Sequence, residues 1–309
     1  MKYFLVFFIS AFYLFAGEAT SSYLHSIPKV KDINIDAKSD DWKDQGVELL
    51  MHAAWYKNIK YHEKQKIKMG WNDNGLYFLF EMDDKIINES TSTRRNAYMH
   101  KDGIQIYISS DRGSSDIFTA TYIPRLKEDN EDISLIYKGP QKNHRYYSQT
   151  AIKKSKNSYV FEVLLPWSNL QNKYELGDEI AIQIITRDSD DKQQATYAWY
   201  PGMHPIHKKY QYRHLHRVKL VENADTYPFS SKVTVEKGKN TLHFYAPNSF
   251  DKKNAVIKVD GVEVHKAELL SDKNKNCAYF SFEYQIKDIK NSDATIEIDG
   301  KSYGLFLSN

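Results

Sequence analysis

The fold is decided by the stretch from Ile67 to Met82, which reads IKMGWNDNGLYFLFEM. Before the central NDNG, apolar residues alternate with polar or small ones at Ile67, Met69 and Trp71, a pattern typical of a half-buried β-strand. The Asn and Gly residues at the centre tolerate positive φ, so they predict a chain reversal. The residues after the reversal are apolar on both faces until Glu81, which predicts a strand in the centre of a sandwich. The whole stretch is therefore predicted to form a β-hairpin.

A third strand is predicted from Lys101 to Ile108, with Gln105 and Tyr107 on one face and three isoleucines on the other. Alternating apolar residues predict further strands up to Val221. Antiparallel strands joined in this way need a second sheet to cover them. The predicted fold class is all-β, an antiparallel sandwich of the jelly-roll or immunoglobulin-like kind over residues 27–222.

The strand pattern restarts at a smaller scale between Lys232 and Leu307, where seven short strands are predicted. Two of the predicted hairpins turn on Asp-Gly pairs, at Asp260-Gly261 and Asp299-Gly300. Seven strands in about eighty residues fit a compact immunoglobulin-like sandwich. Residues 229–309 are therefore predicted to be a second, smaller β domain, a spacer or accessory unit without chemistry of its own.

The first residues predict export. Met1-Lys2 precedes an apolar run from Tyr3 to Ala16, and small residues suited to cleavage follow near Ala19. This run is short for a membrane span, so residues 1–19 are predicted to be a signal peptide, with a retained anchor as the alternative. The mature protein is then expected in the periplasm or outside a bacterial cell, with no membrane attachment. Cys277 is the only cysteine, so no internal disulfide can form.

Composition and motifs argue against several functional classes. The net charge of +3 gives no global field for nucleic acid binding. The sequence contains no Gly-flanked serine, phosphate-binding loop or His-Glu-x-x-His pattern, so no enzyme is predicted. The 23 tyrosines suit strands, and they also suit a surface that binds through flat, amphipathic rings.

Several blocks, in order, resemble the carbohydrate-binding module family 9 domain over about residues 27–222. The blocks are Ile35–Trp42, Met69–Tyr77, Asp83, Asp102–Ile108, Tyr159–Ser168, Gly177–Asp188, Trp199 and Val218–Leu220. The resemblance implies a β-sandwich that grips glycan ends between two aromatic rings without cleaving them. It also implies structural calcium and an association with glycoside hydrolases in polysaccharide catabolism.

The resemblance also implies a ligand-binding set. The family's first tryptophan position holds Met99, with Tyr98 beside it, and the second falls in a loop that offers Tyr210 and Tyr212. A pair of tyrosines could form the clamp, since stacking needs a flat face. The predicted set comprises Tyr98, Met99, Gln105, Gln183, Arg187, Trp199, Tyr210 and Tyr212. The alternative is that the tyrosines pack on the sheet and the polar groups satisfy one another.

Two further clusters have several interpretations. Calcium is predicted at Asp83 and Asp102, with Asp84 beside them, and the aspartates at 188, 190 and 191 are the alternative cluster. The segment from His204 to Arg217 is basic and rich in tyrosine. It could bind an anionic glycan through arginine, hold a metal between its histidines at 214 and 216, or be a solvated cationic loop.

Two rival functions remain from other classes. The same sandwich architecture serves as a haem-b-binding periplasmic electron-transfer domain with Met and Lys ligands, and Met99 lies near the position of such a Met. The strand that would carry the Lys reads VLLP from Val163 to Pro166 and has none. The other rival is a structural surface protein without a ligand.

Overall fold

The computed structural model is built almost entirely from β-strands. It describes residues 25–57, 65–84, 86–88, 101–110, 116–127, 130–140, 144–170, 173–190, 193–199, 215–223, 230–232, 238–246, 250–259, 261–272, 277–286 and 294–305. The predicted signal peptide lies outside these residues. Two single 3-10 turns, Asp40–Trp42 and Trp167–Asn169, interrupt the strands. Within the described ranges, no helix has the length and apolarity needed to cross a membrane.

The larger sandwich has one sheet of eight strands and one of five. The eight strands are β1 His25–Pro28, β3 His52–Lys57, β6 Gly103–Ser109, β7 Phe118–Lys127, β8 Asn130–Lys138, β11 Glu179–Asp190, β12 Gln193–Ala198 and β13 His216–Val221. The five strands are β2 Val47–Leu49, β4 Gln65–Asn72, β5 Gly75–Asp83, β9 Gln149–Lys154 and β10 Ser158–Pro166. The strand order in the eight-stranded sheet is β1-β13-β11-β6-β7-β8, and β12 pairs with both β11 and β3. The strand order in the five-stranded sheet is β2-β4-β5-β10-β9. The predicted all-β sandwich is confirmed, although β1 pairs with β13 in parallel.

The predicted hairpin is present, but its glycine acts in a way the sequence did not indicate. β4 and β5 are joined by Asp73 and Asn74, with Asn72 opposite Gly75. None of these four residues has positive φ. A Cβ on Gly75 would instead lie 2.1 Å from the carbonyl oxygen of Leu165 on β10. Glycine is needed here because the backbones of two strands approach closely.

The core of the larger sandwich lies between its two sheets. Ile104, Ile106 and Ile108 of β6 point into it, where they join Phe78 and Phe80 of β5. β5 pairs with β4 on one side and β10 on the other, which confirms its predicted central position. Since side chains alternate along a strand, the residues between these isoleucines face away from the core.

The smaller unit consists of two four-stranded sheets. One contains β14 Ser230–Lys232, β15 Gly238–Ala246, β18 Leu270–Asp272 and β19 Cys277–Ile286; the other contains β16 Asn254–Val259, β17 Val262–Glu268, β20 Ala294–Ile298 and β21 Lys301–Leu305. The orders β14-β15-β19-β18 and β17-β16-β20-β21 correspond to A-B-E-D and C′-C-F-G of an immunoglobulin-like sandwich. Phe244 and Phe280 meet Ile257 and Ile296 in its core. The short strand β18 was not among the seven predicted strands.

Candidate functional site

Three of the predicted ligand-binding residues meet on one face of the eight-stranded sheet. Gln105 lies on β6, and Gln183 and Arg187 lie on the neighbouring strand β11. The register places Gln183 opposite Tyr107 and Arg187 opposite Gly103, so Gln105 lies diagonally between the two β11 side chains. All three face away from the core. We call this surface, defined by Gln105, Gln183 and Arg187, the outer face.

The amides of the outer face are held in fixed positions. The Gln105 Nε2 donates to the Thr121 hydroxyl at 3.3 Å, and the Tyr107 hydroxyl donates to the Gln105 Oε1 at 3.2 Å. The Gln183 Oε1 accepts the N–H of Ile184 at 3.0 Å. Both glutamines are buried, whereas Arg187 is only half-buried. Of the three side chains, Arg187 is therefore the one that keeps substantial exposure to solvent.

An apolar cluster lies beside these polar groups on the same side of the sheet. Tyr107, Ile185, Ala198 and Leu215 pack together there with Ala181. All five residues are buried, so the cluster stabilises this side of the sheet and is not itself a contact surface.

Trp199 is placed differently from the prediction. Its side chain is 3% exposed and belongs to the core cluster, where its ring lies 4.3 Å from that of His216. Ala195 and Tyr197 of β12 also point into the core, which is the side to which alternation assigns Trp199. Its ring is therefore a core ring, and it does not form a platform on the outer face.

The predicted platform candidates are the tyrosines at 98, 210 and 212. Tyr98, Met99, Tyr210 and Tyr212 lie outside the described residues, as do His204 to His214. His216 is buried in the core against Trp199, on the inner side of β13. Arg217 points the other way and pairs with Glu179 at 2.5 Å, so its charge already has a partner.

A group of buried carboxyls joins the ends of three strands. Asp102 is 1% exposed; its Oδ1 accepts the N–H of Ser189 at 2.7 Å, and its Oδ2 accepts the N–H of Asn88. The Asn88 amide donates in turn to the carbonyl of Ser189 at 2.7 Å. Asp84 and Asp188 are also buried, and both act electrostatically on Asp102. The two aspartate clusters of the sequence thus contribute to one site, which we call the buried acid cluster: Asp84, Asp102 and Asp188.

The predicted calcium pair is not assembled as expected. Asp83 is exposed, and Asp84 is the neighbour that acts on Asp102. Both oxygens of Asp102 are already engaged by backbone N–H groups. In the part of the chain that the structure describes, no group of three or more His, Cys, Asp or Glu side chains is arranged to hold a metal ion. Calcium binding therefore stays a prediction. The described aspartates do not assemble the expected ligand pair.

Burial of Asp102 makes stability depend on pH. Burial, followed by the charge of Asp84, raises the pKa of Asp102 from 3.8 to about 9, while backbone hydrogen bonds oppose the shift. Between about pH 4 and pH 9 the folded state therefore holds a proton that the unfolded state has lost. The free energy of unfolding is expected to fall as pH rises through this window, by at most about 1.4 kcal/mol per pH unit.

Urea unfolding in EDTA at pH 5, 7 and 9 measures this slope. Asp102→Asn keeps an acceptor for the Ser189 N–H but cannot ionise, so we expect it to flatten the slope. Equal slopes in the variant and the wild type would contradict the assignment.

The fold and the outer face together define a β-sandwich with a polar patch on one sheet. The chain belongs to the family described as Carbohydrate family 9 binding domain-like, whose model matches residues 35–211. Membership of this family supports a carbohydrate-binding protein. The strand β10 carries no lysine between Ser158 and Pro166. The predicted haem alternative therefore has no lysine ligand on this strand.

Two solved structures are similar to the larger sandwich. One is a carbohydrate binding module family 9 from Caldicellulosiruptor kristjanssonii in complex with cellotriose, with 19% identity, 64% of this chain and 94% of that chain covered, and a TM-score of 0.47. The other is a module of the same family and organism in complex with glucose, with 18% identity, coverages of 65% and 97%, and a TM-score of 0.46. No curated protein matches this chain.

Proposed function

We propose that the protein is an exported, non-catalytic carbohydrate-binding protein that recognises glycan ends in polysaccharide catabolism. The observation that carries the proposal is the convergence of Gln105, Gln183 and Arg187 on one face of one sheet, in a chain of this family. The half-buried Arg187 guanidinium offers donors to sugar hydroxyl groups, beside two buried amides. Glucose and cellotriose, which the two similar modules bind, are the first ligands to test.

We further propose that Tyr98 and Tyr210 supply the aromatic clamp. Each replacement, Tyr98→Ala and Tyr210→Ala, is expected to weaken saccharide binding about tenfold, equivalent to about 1.4 kcal/mol of lost stacking. The Phe variants at both positions keep the flat ring and are expected to bind nearly as the wild type does. Titration calorimetry measures the effect, and retention of full affinity in both Ala variants would rule out the clamp.

The class of saccharide depends on the basic segment from His204 to Arg217. Lys208, Lys209 and Arg213 within it support a proposal that the glycan is anionic, because arginine pairs with carboxylate and sulfate. Comparison of a uronate oligomer with its neutral counterpart, at two salt concentrations, tests this point. A partner glycoside hydrolase and a periplasmic or extracellular location belong to the same proposal.

A further inference from the structure

A cavity lies on the opposite side of the larger sandwich from the outer face, on the outer surface of the five-stranded sheet. It has a volume of about 490 Å³. Its floor comes from Tyr77 of β5 and Leu164 of β10, and its walls come from residues 33–35, the β4–β5 turn at Asn74, and the chain entering β9. Pockets of roughly 300 to 1,000 Å³ hold small organic ligands. The cavity shares no residue with the outer face.

Tyr147 forms one wall of this cavity and is fixed there. Its N–H donates to the Asn169 Oδ1 at 3.1 Å, and its carbonyl accepts from the Asn169 Nδ2 at 2.5 Å. Asn169 is itself buried, and Ser168 donates to the Tyr147 hydroxyl at 3.2 Å. Nevertheless the Tyr147 side chain is 49% exposed, whereas the preceding Tyr146 packs against Phe118 in the core. An aromatic ring that is anchored and also exposed is ready to stack on a ligand.

The polar groups around the cavity are uncharged amides. Asn34, Asn74 and Gln149 line it and are exposed. The Asn34 Nδ2 is oriented by the Asp41 carboxylate at 3.2 Å, which leaves its Oδ1 directed elsewhere. No acidic or basic side chain lines the cavity in the part of the chain that the structure describes. The site therefore offers hydrogen bonds without a charge to compensate, which favours a neutral, hydroxylated ligand over an anion.

We propose that this cavity is a second saccharide-binding site, which takes a neutral mono- or disaccharide unit stacked on Tyr147. The Tyr147 ring contacts the apolar face of the sugar, Leu164 lies beneath it, and the amides of Asn74 and Gln149 address its hydroxyl groups. The chain then carries one site on each sheet of the larger sandwich. Two sites on opposite faces allow one molecule to join two glycan strands, which raises avidity for a polymer.

The test uses the full chain and a panel of neutral saccharides that includes glucose, cellobiose and cellotriose. We expect Tyr147→Ala and Gln149→Ala each to weaken binding at this site at least tenfold, while Tyr147→Phe keeps it. Leu176→Ala is a matched control, because Leu176 is also exposed, at 59%, and does not line the cavity. Thermal unfolding of each variant checks that the fold is intact.

The proposals for the two sites can be tested independently of each other. Arg187→Ala on the outer face is expected to leave the Tyr147-dependent binding unchanged, and Tyr147→Ala to leave the Arg187-dependent binding unchanged. The inference is overturned if no neutral saccharide of the panel binds in a way that Tyr147→Ala weakens. If the wild type shows no saccharide binding that Arg187→Ala weakens, the proposed function is overturned, whereas the site at Tyr147 is not.

Discussion

Glu162→Ala is expected to lower the free energy of unfolding by about 3–5 kcal/mol. Glu162 lies on β10 and is fully buried. Its Oε2 accepts the N–H groups of Asp36 and Ala37 at 2.9 and 2.6 Å, and its Oε1 accepts the Trp42 indole N–H at 2.7 Å. Removal of the carboxylate would leave three donors without their acceptor in a buried place.

The same carboxylate holds the N-terminal segment on the five-stranded sheet. Trp42 and Ile33 pack there against Tyr77 and Leu164. Loss of the Glu162 carboxylate is therefore expected to loosen the N-terminal segment, which also forms one wall of the cavity at Tyr147. Burial raises the pKa of Glu162 despite the hydrogen bond from Trp42, so its contribution to folding is expected to weaken as pH rises from the pKa of the unfolded carboxyl to that of the folded one.

Urea unfolding followed by tryptophan fluorescence measures the effect, with two controls. Glu162→Gln keeps one amide oxygen as an acceptor and is expected to cost less, about 1–3 kcal/mol. Glu48→Ala removes an exposed glutamate of β2 and is expected to change stability by less than about 0.5 kcal/mol. If Glu162→Ala unfolds at the same urea concentration as Glu48→Ala, the anchoring role is wrong.

The second large effect is expected at the outer face, where Arg187→Ala should weaken saccharide binding about 10- to 100-fold. Hydrogen bonds from a charged donor contribute about 1.5–3 kcal/mol, and Arg187 is the member of the outer face that keeps substantial exposure. Arg187→Lys keeps the charge but loses the planar fork, so it is expected to lie between the wild type and the Ala variant.

Local sequence patterns predicted the strands well because alternation reports which face of a strand is buried. Ile104, Ile106 and Ile108 were placed in the core, and Gln105 on the opposite face, from this pattern alone. The resemblance to the family included Gln183 and Arg187 in the same predicted ligand-binding set as Gln105, and the register of β6 with β11 then showed which face they share.

The sequence does not show the environment of a residue where a distant segment determines it. Glu162 alternates with apolar residues and thus has the pattern of a solvent-facing position, yet residues 36–42 cover it. Asp188 follows Asp102 by 86 positions, so only the folded sheet shows that their carboxyls interact. Trp199 matched a block of the family, but its packing against His216 depends on how β12 meets β13.

The central claim is that the outer face of the eight-stranded sheet binds saccharide. Calorimetric titration of the full-length wild type and Arg187→Ala with the best ligand from a glycan screen tests it most directly. The account predicts saturable binding to the wild type and a Kd at least tenfold higher in Arg187→Ala, with both proteins folded at the temperature of the titration. Equal affinity in the two proteins, or no saccharide bound by the wild type, would contradict it.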